Sequence, residues 1–254
     1  MSVAYAPKGL LGVLTPQANT TVEPEFAILM PKGMAIVNAR LTSPKPTIEE
    51  RLVDYFATME TALGQFANAP IGAISIACTG ASYLAGIAAE EAMIARAEKR
   101  LQVPVFTSAT SVVDALTVLG ARRIGFVSPY PDALNRASEA YWTARGFTVA
   151  AKSGAYRETG AFHPIYSLPS GAALAGLDAL PRDLDAVVML GTGMPTLEPI
   201  RQRPMHGSAP VLSCMLASAW RGAVALEGRS PDRDGLMAVV RAETWGGKER
   251  LGTG

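Results

Sequence analysis

The sequence predicts an α/β protein built as two similar lobes around one cleft, and three observations support this. Short apolar runs alternate with longer stretches of helical periodicity, the pattern of a mostly parallel sheet covered on both faces. Runs such as residues 73–77 are apolar without alternation, as expected of strands buried on both sides. The chain also nearly repeats itself. Gly12-Val-Leu-Thr-Pro16 returns as Gly125-Phe-Val-Ser-Pro129, and Ala73-Ile-Ser-Ile-Ala-Cys-Thr-Gly80 returns as Ala186-Val-Val-Met-Leu-Gly-Thr-Gly193, both at an offset of 113 residues. Val103-Pro-Val-Phe-Thr107 returns in the same order as Ala209-Pro-Val-Leu-Ser213.

In chain order, an apolar run at 10–15 opens the first lobe and stops at Thr15-Pro16, and a second run at 34–40 ends on Arg40. Helical spacing over 48–67 separates these from the strand at 71–77, and a helix over 86–100 leads to the strand at 103–107. A helix over 111–119 begins the second lobe. Strands at 123–128, 147–151, 186–190 and 210–213 follow, with helices over 131–145 and 170–179 between them and one over 216–227 after the last. The repeat sets the division: residues 1–110 form lobe 1, residues 111–213 form lobe 2, and 214–254 cross back to complete lobe 1. No low-complexity linker separates the halves, so they should pack face to face, related by a pseudo-two-fold axis.

Composition narrows the function. Of the 254 residues, 49% are hydrophobic and 18% charged, with a net charge of +1 and no basic stripe interleaved with aromatics, which excludes a nucleic-acid partner. No apolar stretch has the length of a membrane span, and the N-terminus reads as a first strand and not as a signal peptide. Two cysteines make no disulfide framework and fit a reduced, cytoplasmic setting. Two histidines without metal-ligand spacing leave no metal site to expect.

In a parallel sheet, ligands bind beyond the carboxyl ends of the strands. Both copies of the strand-end motif therefore point into one cleft, with Cys78 on one wall and Gly191 on the other. Amides around Thr79 and Gly80 favour an anion and should lower the thiol pKa, making Cys78 a nucleophile; a buried, inert cysteine is the alternative. Asn19 either binds a carboxylate or caps the next helix. Tyr130 either donates to an anionic oxygen or packs at the sheet rim. Thr192 and Gly193 provide a second set of amides, so the cleft fits a small dicarboxylate. Cys214 reads as packing, His163 as a surface residue, Arg40 as half of a structural ion pair, and Trp142 and Trp220 as core.

The segments "GVLTPQANTT", "ACTG", "GFVSPY" and "PVLSCMLASAW" resemble the maleate cis–trans isomerase and arylmalonate decarboxylase branch of the aspartate/glutamate racemase superfamily, over about residues 9–222. The resemblance implies two Rossmann-like lobes, no metal, no organic cofactor and a homo-oligomer. It matches Asn19 to a carboxylate-holding residue, Cys78 to the isomerases' nucleophile, and Thr79 and Tyr130 to groups that grip a carboxylate. The family carries a second cysteine at the position of Gly191, and this chain does not. The leading expectation is a cofactor-independent isomerase of a small unsaturated dicarboxylate, with a Cys78 adduct. In it, Asn19, Thr79 and Gly80 hold one carboxylate, and Tyr130 with the Gly191, Thr192 and Gly193 turn holds the other. The alternative is a decarboxylase of a substituted malonate, with Cys78 donating the proton and an apolar lining around Leu190, Met194 and Pro195. A third class is a small-molecule binding protein with an inert Cys78.

Overall fold

The structure, a computed structural model, describes residues 3–155 and 164–251. Strands β1 (Gly9–Pro16), β2 (Met34–Leu41), β3 (Ala73–Ile76) and β4 (Val105–Thr107) form one sheet in the order β2-β1-β3-β4, all parallel. Strands β5 (Arg123–Ser128), β6 (Thr148–Gly154), β7 (Ala186–Met189), β8 (Met205–His206) and β9 (Ala209–Ser213) form the second in the order β6-β5-β7-β9-β8. There only β8 runs antiparallel, against β9. The repeated segments occupy equivalent places: β1 and β5 lie second in their sheets, β3 and β7 third, β4 and β9 fourth. The unbroken apolar strands are the buried ones. All four residues of β3 and of β7 are buried, whereas the edge strand β6 keeps several positions partly open.

Helices α1 (Val22–Leu29), α2 (Ile48–Ala62), α3 (Thr79–Ala85), α4 (Ile87–Leu101) and α5 (Ser108–Leu119) belong to the first half of the chain. Helices α6 (Asp132–Ala144), α7 (Ser170–Asp178), α8 (Leu197–Gln202), α9 (Cys214–Leu226) and α10 (Arg233–Val240) complete the set. Helix α2 starts where its sequence says it should. Thr47 accepts from the Glu50 amide and the Glu50 carboxylate accepts from the Thr47 amide, a capping box behind Pro46. Thr107 and Asp232 cap α5 and α10 with their side-chain oxygens in the same way.

Several elements differ from the sequence expectation. The segment after Cys78 is not a turn leading to a helix at Gly86; α3 begins at Thr79, and Gly86 (φ 80°) breaks it from α4. Helix α2 stops at Ala62 and tightens into a 3₁₀ turn over Leu63–Phe66. Helices α5 and α9 begin directly after their strands, three and two residues earlier than the apolar spacing suggested.

The halves meet along α5 and α9, whose small residues allow close approach; Ser108 and Ser218 share a 2.9 Å hydrogen bond there. Helix α9 leaves the second sheet and packs on β1 and β3 of the first. Glu90 of α4 is fully buried and accepts from Thr107 Oγ1 (2.6 Å), the Tyr141 hydroxyl (2.6 Å) and Arg145 Nη2 (3.1 Å), so a paired carboxylate ties the first half to α6. Trp142 and Trp220 are core residues, and Arg40 pairs with Glu23 while donating to the carbonyls of Pro16 and Asn19. Among the described residues, no helix is long and apolar enough to cross a membrane.

Candidate active site

The carboxyl ends of β3 and β7 converge. Thr192 Oγ1 donates to the Ala77 carbonyl at 2.9 Å, so the turn after β7 is bonded directly to the end of β3. Between these ends lies a cavity of about 50 Å³, lined by Thr79 and Gly80 on one side and Gly191, Thr192 and Gly193 on the other. Tyr130, just beyond β5, reaches the same space. Five of the predicted binding residues therefore share one cavity with Tyr130. The Thr79 hydroxyl is buried and has no hydrogen-bond partner among the described residues, leaving a donor for a ligand oxygen.

A side chain would be strained or crowded at both glycines of the second wall. Gly191 has φ +83°, and a Cβ there would lie 3.1 Å from Pro129 and 3.2 Å from the Tyr130 hydroxyl. A Cβ at Gly193 would lie 2.4 Å from the Tyr166 ring. Bare backbone thus lets two phenols close over the turn. Burial pushes the Tyr130 hydroxyl well above the ordinary phenol range, so it remains a proton-bearing donor.

Asn19 does not line the cavity. Its Oδ1 accepts from the amides of Thr21 (2.8 Å) and Val22 (3.1 Å), capping α1, and its Nδ2 faces Thr192 O and Oγ1 at 3.2 and 3.3 Å. A substrate contact from Asn19 would require it to release Thr192.

Cys78 stands at the N-cap of α3 and is 2% exposed. It is not itself among the cavity-lining residues; it directly precedes Thr79 and Gly80, which are, and its sulfur is close enough to the lining phenols of Tyr55, Tyr130 and Tyr166 to affect them electrostatically. The expectation of a lowered thiol pKa is not met. Burial pushes it up to about 12, and the Ala81 amide offsets only part of that rise. Desolvation is the larger of the two effects. Cys78 therefore rests as a neutral thiol in the empty protein.

Cys214 opens α9 and is fully buried, near the Thr79 hydroxyl and the Gly191 amide; burial raises its pKa to about 11. Like Cys78, it is not among the residues that line the cavity. His163 falls outside the described residues.

Several lining residues were not visible in the sequence reading. Ile48, Arg51, Leu52 and Tyr55 form one stripe of α2 facing the cavity, and Leu134, Ile165 and Tyr166 close it from the second half. The apolar wall comes from these side chains; Leu190 and Met194 are buried elsewhere in the core. The i, i+3, i+4, i+7 spacing along α2 was the available signal, whereas Ile165 and Tyr166 sit in a loop without periodicity.

Comparisons with known proteins agree with this geometry. The chain is 29% identical over 154 residues to a maleate isomerase of Pseudomonas putida, a match covering 55% of this chain and 60% of that protein. It is 26% identical over 223 residues to a maleate isomerase of Nocardia farcinica, covering 83% and 87%. A solved Nocardia farcinica maleate cis–trans isomerase mutant, holding a covalently bound succinylcysteine intermediate, superimposes with a TM-score of 0.77. That structure is 25% identical, with 86% of this chain and 93% of that one covered. The model of the arylmalonate decarboxylase family matches residues 11–238. A match of that length, over two sheets whose third strands end at one cavity, means that the chain belongs to the arylmalonate decarboxylase family.

Proposed function

We propose that this protein is a cis–trans isomerase of a small unsaturated dicarboxylate of the maleate type, acting through Cys78. The observation that supports the proposal is the position of Cys78 directly before Thr79 and Gly80, which line a small cavity together with Tyr130 and the Gly191–193 turn, with the Thr79 hydroxyl unpartnered among the described residues. At about 50 Å³ the cavity is small, which favours a diacid of maleate's size over an aryl-substituted malonate.

In the proposed reaction the Cys78 sulfur adds to one alkene carbon, and the thiol proton is delivered to the other. The product is a succinyl thioether whose central bond is single and rotates. Loss of that proton and cleavage of the C–S bond then give the trans diacid and restore the thiol. Atoms balance with one sulfur and one proton, and no step calls for a second thiol at Gly191. The amides of Thr79 and Gly80 with the Thr79 hydroxyl hold one carboxylate. Tyr130 and the Gly191–193 turn hold the other and stabilise negative charge as the adjacent carbon becomes carbanion-like. Proton NMR of maleate incubated with the protein tests the proposal: fumarate should accumulate, and none would form if it is wrong.

One observation favours a second reading. A thiol held neutral by burial is suited to protonate an enediolate, the step that follows loss of carbon dioxide from a substituted malonate. Carbon dioxide release from alkylmalonates without any fumarate from maleate would favour this decarboxylase.

A further inference from the structure

The donors grouped around Thr79, Tyr130 and Gly191 are all neutral, yet a dicarboxylate brings two negative charges into a small cavity lined largely by apolar side chains. Neutral donors compensate such burial only in part, and buried charge is normally paired. Among the described residues that line the cavity, Arg51 is the one positively charged side chain. It lies on the cavity stripe of α2, one turn from Ile48 and from Tyr55. Among the described residues its guanidinium has no carboxylate partner: Nη2 donates to the Pro46 carbonyl at 2.7 Å, and Nε is buried without a partner. Its charge acts on the phenols of Tyr55 and Tyr166, and the Tyr166 ring packs over Gly193, so Arg51 faces the second-wall end of the cavity. Arg40 also affects Tyr166, but it is committed to Glu23 and to two backbone carbonyls.

We infer that Arg51 is the residue that selects a dianionic substrate: its unpaired guanidinium edge takes the carboxylate lying toward Gly193. The inference rests on the proposed dicarboxylate site and assigns that site its charge selectivity. Arg51 acts as a specificity residue, since nothing in the reaction requires it to exchange a proton. The pocket would then reject a monoamide or monoester of the same skeleton. Such a molecule leaves the guanidinium unpaired, and losing one charge-assisted contact weakens binding about ten- to hundredfold.

The test uses succinate and succinamate, saturated ligands that cannot isomerise, titrated calorimetrically into the wild type, Arg51→Met and Arg51→Lys. Wild type should bind succinate about ten- to hundredfold more tightly than succinamate. Arg51→Met should lose that preference while binding succinamate as wild type does, and Arg51→Lys should retain part of it. A preference preserved in Arg51→Met, or an equal loss for both ligands, would overturn the inference even if the wild type converts maleate to fumarate. Wild type that binds neither ligand would overturn the dicarboxylate reading and this inference with it. Unfolding curves of the variants, matched to wild type, separate a binding effect from a folding one.

Discussion

Replacing Glu25 by glutamine should make the protein more stable at alkaline pH, although it removes a charged contact between the two halves. Glu25 of α1 is fully buried; its Oε1 accepts from the Thr196 amide at 2.7 Å, and both carboxylate oxygens lie within 3.3 Å of the Thr196 hydroxyl, at the start of α8. Burial raises its pKa from 4.5 to about 7, against the lowering effect of those hydrogen bonds. The folded chain therefore holds this proton more tightly than the unfolded one. The resulting stabilisation is fully present below about pH 4.5 and is lost as the pH rises to about 7. A displacement of about 2.5 pH units corresponds to about 3 kcal/mol of stability lost across that window. Glutamine mimics the protonated acid, with an oxygen to accept from Thr196 and no proton to lose. Urea unfolding of wild type and Glu25→Gln between pH 4.5 and 8 should give curves that nearly coincide at the acid end. They should separate to about 3 kcal/mol at pH 8, with the variant the more stable. Parallel curves across the range would refute the assignment of a raised carboxyl to Glu25.

Three further outcomes are expected. Alkylation of Cys78 by iodoacetamide in the empty protein, read by peptide mass mapping, should be slow at pH 7 and still rising above pH 9, because burial holds the thiol neutral. Gly191→Cys should lower Tm by about 2–8 °C, since a side chain at positive φ costs about 1–2 kcal/mol and its Cβ crowds Pro129 and Tyr130. Tyr130→Phe should reduce kcat for the isomerisation by about ten- to a thousandfold with little change in Tm, as for loss of one donor to developing charge.

How much was legible in the sequence depended on which forces decide each feature. The repeated strand ends revealed two equivalent sheets because a strand buried on both faces must be apolar throughout, and that pattern survives in both copies. The same repeat placed Thr79, Gly80 and Gly191–193 around one cavity. Helix α1 was given no bounds, only a possible cap at Asn19, and α3 was read as a turn because Thr79, Gly80 and Ser82 are weak helix formers with no side-chain cap. Tertiary packing decides both. The Cys78 pKa was misjudged for a related reason. Nearby amides can be inferred from a strand–helix turn, but the depth of burial that outweighs them depends on Tyr55, Tyr130 and Tyr166, which come from three separate segments. Asn19 was left open between ligand contact and cap, and the cap bonds are present. Arg51 shares a helical stripe with Leu52 and Tyr55, a spacing that marks a buried face without saying that the face borders a cavity.

The most direct test of the account is the rate at which maleate becomes fumarate with wild type, Cys78→Ala and Cys214→Ala, followed by proton NMR. The account predicts turnover by wild type, none by Cys78→Ala, and retained turnover by Cys214→Ala, because the adduct forms on Cys78 alone. Fumarate formed at the wild-type rate by Cys78→Ala would contradict it.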